Sequence, residues 1–231
     1  MKFGKLILAV LAIGTVVLGS IACETEPMVP VPDISVLDNG LAGNKLVIKS
    51  QIPGEAFFLV REYSTSYDAQ NWRITDSKTL LMSLRTEGAK GFTVFVEHVH
   101  ADVALKSTSE SLDGWSQDSM DDSVHGNQPG FWVTDTHPWE EVFAIEGFSQ
   151  TLINGWSFYF GAYGSGSITQ QRLTETNLVK YGGVYGNKVQ IVYDLLIKPD
   201  SEPYFYTRSI QDEFLVPTSA KVIEEIKARP K

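Results

Sequence analysis

The sequence predicts an all-β fold, a single antiparallel β-sandwich or jelly-roll-like domain with a short C-terminal helix. From Asn44 onward, short runs rich in β-branched and aromatic residues follow one another, separated by Gly, Pro, Asn and Asp at turn-sized spacings. Within Lys188–Lys198, apolar side chains alternate with polar ones, as in a strand with one buried face. No internal repeat and no domain-sized linker divides the chain. We therefore predict one β-domain over residues 44–231.

The N-terminus predicts export. Lys2 and Lys5 precede an apolar run from Leu6 to Ala22, and polar chain begins at Glu24. A basic start, an apolar stretch and a small residue before the cleavage point are typical of a secretory signal peptide, here residues 1–22. The apolar run also has the shortest length that spans a bilayer, so an uncleaved N-terminal anchor is the alternative.

Cys23 is the only cysteine of the chain. The segment Leu18–Cys23, with the small Ala22 directly before the cysteine, resembles the lipobox of prokaryotic secreted lipoproteins. That resemblance implies lipidation of Cys23. The lipid would attach the protein to the cell membrane or outer membrane, facing the periplasm or the exterior. A cysteine of no special role in an ordinary signal peptide is the alternative.

Residues 23–43 are predicted to be the anchor cysteine and a tether. The stretch 24–33 contains three prolines, and such composition favours an extended, semi-rigid spacer. The alternative is a proline-containing edge segment that lies on the domain.

The strands within the domain follow in order. They are predicted at Lys45–Ser50, Glu55–Tyr63, Thr79–Arg85, Phe92–Ser107, Phe131–Thr134, Glu141–Phe148, Trp156–Tyr163, Lys188–Lys198, Tyr204–Ser209 and Glu213–Val216. Gly161–Ser167 and Tyr181–Asn187 are rich in glycine and are predicted to be connections. A helix is predicted only at the C-terminus, where an apolar stripe follows Ser219 and Pro230 ends the pattern.

Histidines in the segment Gly91–Trp139 suggest a metal site. Strict alternation along Phe92–Ser107 places His98, His100 and Asp102 on the face that also carries Val94 and Val96. Residues two apart on a strand are about 7 Å apart, so two imidazoles can lean towards one divalent cation such as zinc. Asp102 would be a further ligand or a partner of a ligand. A solvent-facing histidine pair is the alternative.

The remaining ligand of this site would come from outside the strand, and His125 or His137 is the candidate. In the enzymatic version of this hypothesis, Asp102 or Asp122 would orient or deprotonate a metal-bound water.

Three carboxylates form a second candidate site. Asp118, Asp121 and Asp122 could supply oxygen ligands to calcium, although their spacing is not that of an EF-hand loop. The alternative is a solvated acidic loop, in which the aspartates make turns.

Three tryptophans suggest a third candidate site. Trp115, Trp132 and Trp139 are predicted to bind a ligand, because exposed flat rings stack on sugars and other planar molecules. Burial in the core of the sandwich is the alternative.

The net charge and the absence of several sequence motifs limit the classes of function that the chain can have. A formal net charge of −9 does not favour nucleic-acid binding, which needs clustered basic residues. No P-loop, dinucleotide fingerprint or Gly-x-Ser-x-Gly motif occurs. The leading hypothesis is a lipid-anchored domain that binds a ligand or protein partner at the cell envelope. The alternatives are a metal-dependent, hydrolase-like extracytoplasmic enzyme and a structural subunit of the cell surface.

Overall fold

The computed structural model describes residues 38–66, 68–123, 131–155, 157–162, 165–170 and 172–220, together with Glu224. The predicted signal peptide, Cys23 and His125 lie outside the described residues. Of the predicted C-terminal helix only Ala220 and Glu224 are described, and both are helical.

Antiparallel strands dominate the described chain, which confirms the predicted all-β sandwich. The strands are β1 (Lys45–Gln51), β2 (Phe58–Ser64), β3 (Lys78–Glu87), β4 (Phe92–Ser107), β5 (Ser116–Ser123), β6 (Phe131–Val133), β7 (Trp139–Ile145), β8 (Ser157–Ala162), β9 (Ser165–Gln170), β10 (Val184–Pro199) and β11 (Tyr206–Pro217). The first sheet has the order β1-β2-β3-β7. The second has the order β11-β10-β4-β5, and β6 also pairs with β4; β8 and β9 form a separate hairpin.

The core lies between the first and second sheets, because each presents one apolar face to the other. Leu59 and Leu84 of the first sheet are buried together with Ile191 and Leu195 of the second. Each such side chain stabilises the fold by about 1.5–3 kcal/mol through its removal from water. This packing fixes which face of β4 and β10 is left for solvent.

A β-bulge at Glu97 changes the orientation of β4. In the β4–β10 ladder, Val96 pairs with Leu195 and His98 pairs with Asp194, so Glu97 is an extra residue without a partner. Val96 on one side of the bulge and Val99 on the other both face the core. Because one extra residue reverses the alternation, the histidines lie on the face opposite to Val94 and Val96. The prediction that the histidines share a face of β4 with Val94 and Val96 was therefore wrong.

Two helices were not predicted. They are α1 (Gln150–Gly155) and α2 (Glu175–Gly182). Thr174 caps α2 by accepting a hydrogen bond from the Asn177 N–H at 3.3 Å. Gly183 ends the helix in a left-handed conformation with φ 62°, which glycine adopts without strain. The glycines of Tyr181–Asn187 therefore end a helix and begin β10, and do not form the long connection that was predicted.

The packed domain begins upstream of Asn44. Leu41 is fully buried in the main core, and the Gly40 N–H donates to the Leu215 carbonyl at 2.9 Å. The end of the predicted tether thus belongs to the sandwich. Among the described residues, no helix is long and apolar enough to cross a membrane.

Candidate functional site

The outer face of the second sheet carries the candidate site. Cross-strand pairing brings five side chains together there. Asp194 of β10 lies opposite His98 of β4 and opposite Ser209 of β11, and Asp121 of β5 lies opposite His100. Directly paired residues point to the same side of a sheet, so strands that are distant in sequence supply one polar cluster. We call His98, His100, Asp121, Asp194 and Ser209 the His98 cluster.

His98 is the centre of this cluster. Its Nε2 lies 2.5 Å from Asp121 Oδ1, and its Nδ1 lies 3.3 Å from Asp194 Oδ2. The second oxygen of Asp121 lies 3.7 Å from His100 Nδ1. The Ser209 hydroxyl donates to the other oxygen of Asp194. Both ring nitrogens of a protonated His98 thus have a carboxylate to donate to.

These contacts favour the charged forms of the histidine and the carboxylate. The hydrogen bond that His98 donates to Asp121, assisted by the one to Asp194, raises the pKa of His98 above its usual value. The same bond to His98 lowers the pKa of Asp121. Part of the negative charge of the cluster is therefore compensated from within it.

The metal prediction is not matched by a set of ligands in the described chain. Asp102 is on the same face as the histidines, but its Oδ1 accepts a hydrogen bond from the Ser116 hydroxyl at 2.9 Å. Among the described residues, no group of three or more His, Cys, Asp or Glu side chains is arranged to hold a metal ion. Of the two candidates for the third ligand, His137 places its Nδ1 3.0 Å from the Thr136 hydroxyl, and His125 is not described, so a third ligand from His125 stays a prediction.

The three predicted calcium ligands are divided between the two faces of β5. This segment is a strand and not the loop that was expected. Asp121 points outward, whereas Asp118 and Asp122 pair with the inward-facing Val103 and Val99. Asp118 Oδ2 accepts the Glu146 N–H at 2.7 Å and so joins β5 to the chain after β7. Strand alternation thus separates carboxylates that are close in sequence.

The three predicted ligand-binding tryptophans have different surroundings. Trp139 is 1% exposed and packs edge-on against Tyr193 with ring centroids 5.8 Å apart, so the prediction that it binds a ligand was wrong. Trp115 is partly buried and packs on Phe148. Trp132 is 53% exposed. Of the three rings, that of Trp139 fills the core, and only that of Trp132 is widely exposed to solvent.

Trp132 belongs to an aromatic patch on the outer face of the second sheet. Its ring centroid lies 5.6 Å from that of Phe95, nearly edge-on, and 6.3 Å from that of Phe205, which is itself 40% exposed. We call Phe95, Trp132 and Phe205 the aromatic patch. Its rings support one another, so it is a firm apolar surface.

The aromatic patch and the His98 cluster are contiguous. Leu196 pairs with Phe95, and Phe95 pairs with Trp132, so these side chains form one cross-strand row. Asp194 lies two residues before Leu196 on β10 and belongs to the row that contains His98. Neighbouring rows on one face are about 7 Å apart, and Asp121, opposite His100, lies one row further, so an elongated ligand of several rings could reach the aromatic patch and both carboxylates.

Asp194, Ser209 and Phe205 were not predicted as site residues. One indication was available for Asp194, because the alternation in Lys188–Lys198 places it on the polar face. Its position opposite His98 depends on strand order and register, which a single sequence does not specify.

Charged groups are also buried between the two sheets. Arg61 donates through Nε and Nη2 to the two oxygens of Asp212, at 2.7 and 2.9 Å, and the Tyr63 hydroxyl donates to the same carboxylate at 2.5 Å. Burial, with Tyr193 and Asp212 nearby, raises the pKa of the Tyr63 phenol far above its usual range. Because these groups are hidden from solvent, we assign them to the fold and not to ligand binding.

Comparisons with known proteins do not identify a family. No family model matches the chain, and no curated protein matches it. The X-ray structure of a Northeast Structural Genomics Consortium target is similar over 78% of this chain and 91% of its own, at 8% sequence identity and a TM-score of 0.26.

Proposed function

We propose that this protein is an exported, lipid-anchored β-sandwich that binds a ligand or partner at the cell envelope through the outer face of its second sheet. The observation that carries the proposal is that an exposed aromatic patch and a solvent-accessible polar cluster lie in neighbouring rows on the same face of the second sheet. Rings that are open to solvent and do not fill the core, next to convergent polar groups, are typical of binding sites.

The binding part of this proposal is tested with washed cell envelopes of the producing organism. The full chain in mild detergent is sedimented with them, and the bound fraction is measured. We expect Trp132→Ser to reduce binding at least fivefold. Val142→Ser should bind like the wild type, because Val142 is equally exposed, at 51%, but lies on the outer face of the first sheet. Equal binding by the two variants would contradict the proposal.

The anchor is supported by the lipobox-like segment that ends at Cys23. The lipid would then hold the protein at the membrane. The proline-containing stretch after it would space the domain from the surface. Cys23→Ser should move the protein out of the membrane fraction and abolish the added mass of the N-terminal peptide. A membrane-bound serine variant would instead indicate an uncleaved N-terminal anchor.

A divalent cation at the histidine pair is the finer part of the proposal. The metal content of the full chain, produced without a histidine tag, is measured by mass spectrometry beside the His98→Ala/His100→Ala double variant. Stoichiometric zinc that is lost in the variant would support the site and the hydrolase-like alternative. Calcium retained in both proteins would point to the aspartates of β5, and absence of metal from both would remove the metal from the proposal.

A further inference from the structure

The chemistry of the outer face of the second sheet limits what it can bind, and this inference rests on the proposed function above. Trp132 is 53% exposed, and its ring packs against those of Phe95 and Phe205. A ring fixed in this way loses little conformational entropy when a flat apolar surface stacks on it. The patch therefore favours a ligand with a flat face of C–H groups.

The adjoining polar cluster has unused capacity to accept hydrogen bonds. Asp121 is 66% exposed, and its second oxygen lies 3.7 Å from His100, beyond the length of a hydrogen bond. Each carboxylate oxygen of Asp121 and Asp194 has two lone pairs, and each receives at most one close bond from the part of the chain that the structure describes. A ligand that stacks on the patch would meet these acceptors with hydroxyl groups.

Charge decides between ligands of this shape. The chain has a formal net charge of −9, and two carboxylates line the cluster, so an anionic ligand would be repelled. A cationic ligand would have to compete with His98, which already contacts both carboxylates. A neutral ligand avoids both the repulsion and the competition with His98.

We propose that the ligand of this face is a neutral saccharide, with one sugar ring stacked on Trp132 and the hydroxyls of the same or the next ring bound to Asp194 and Asp121. A sugar ring has a C–H face and a rim of hydroxyls, and a short chain of such rings matches an aromatic row with the row of Asp194 about 7 Å beyond it and the row of Asp121 about 14 Å beyond it. The outer face of the first sheet differs, since it exposes Val47, Leu81 and Val142 without an adjoining histidine–aspartate cluster in the described chain.

Calorimetric titration of the full chain in detergent tests the inference. The probes are hexasaccharides of neutral glucose, mannose and N-acetylglucosamine, an anionic galacturonic acid hexamer, a cationic glucosamine hexamer and hexalysine. We expect at least one neutral probe to bind, and Trp132→Ala and Asp194→Asn each to weaken it at least tenfold. Val142→Ser should leave its affinity unchanged.

Several results would overturn the inference. These are no binding of any neutral probe, binding of the charged probes alone, and neutral binding that Trp132→Ala does not weaken. If the neutral probes fail while Trp132 is still needed for binding to cell envelopes, the saccharide is wrong and the proposed binding face stands. If envelope binding is also indifferent to Trp132, both fail.

Discussion

Two sets of polar side chains with similar chemistry lie on opposite sides of the second sheet. On the inner side, Asp212 receives hydrogen bonds from Arg61 and Tyr63. On the outer side, Asp194 receives them from His98 and Ser209. The inner carboxylate is hidden from solvent, and its partners must satisfy it because an unpaired buried charge is costly. The outer carboxylate has access to water and retains acceptor capacity for a ligand. Burial thus separates a carboxylate that serves the fold from one that can serve binding.

The largest expected effect comes from deleting Glu97, which sets the faces of β4. Without the bulge, one half of the strand must turn over, and Val94 with Val96 would exchange places with outward-facing neighbours. Exposing two valines costs about 3–6 kcal/mol, and denaturant unfolding should show a loss of this size or no folded state. Glu97→Ala keeps the extra residue and should unfold like the wild type. Equal stability of the deletion and the wild type would show that the bulge does not fix the faces.

Asp212→Asn disrupts the polar set on the inner side of the second sheet. It removes one charge of the buried pair and leaves Arg61 uncompensated, so the free energy of unfolding should fall by about 3–5 kcal/mol. The matched control is Glu213→Gln on the exposed side of the same strand, where Glu213 lies 3.3 Å from Lys188. Such a surface pair contributes at most about 1 kcal/mol. Similar losses in the two variants would remove the distinction between the sides.

Lys78 is another buried charged group, and its ammonium donates a hydrogen bond to the Ile74 carbonyl at 3.1 Å. Burial lowers the pKa of Lys78 to about 8. The folded protein therefore loses this proton at lower pH than the unfolded chain, and wild-type stability should gain a contribution as the pH rises from about 8 towards 10.5.

Lys78→Met should remove that gain and raise the free energy of unfolding at pH 7 by about 1–3 kcal/mol. The Ile74 carbonyl keeps its bond from Gln117 at 2.8 Å, so no acceptor is left unpaired. Denaturant unfolding at pH 7, 8, 9 and 10 measures both effects, with the exposed Lys90→Met as the control. A variant less stable than the wild type at pH 7 would show that the charge of Lys78 is needed.

His98→Gln tests the outer set and should have the smallest effect. Because the pKa of His98 is raised in the folded protein, its stabilising contribution is complete below about pH 6.5 and is lost as the pH rises through the higher, folded-state value. The variant should lose less than about 1 kcal/mol at pH 6 and nothing at pH 9, as expected of a partly exposed pair. His137→Gln is the control. A large loss that persists at pH 9 would assign His98 to the fold.

Much of the fold follows from the sequence alone. Turn residues between β-branched runs located β1, β3, β4 and β6 within a few residues, because these preferences are local. β5 was missed because its sequence, Ser116–Ser123, is polar apart from Met120, and its place is fixed by hydrogen bonds to β4. α2 was missed because its eight residues contain few apolar positions and end at Gly182, with Gly183 directly after them.

The site itself was decided by tertiary structure. Residue types in the sequence pointed to His98, His100, Asp121 and Trp132, since these side chains are costly to bury without partners or large enough to bind a flat ligand. The sequence could not determine which face they share, because a single bulge at Glu97 reverses the alternation on which that inference depends. Nor could it determine that Asp194 and Phe205 join them, because strand order and register come from packing between residues far apart in the chain.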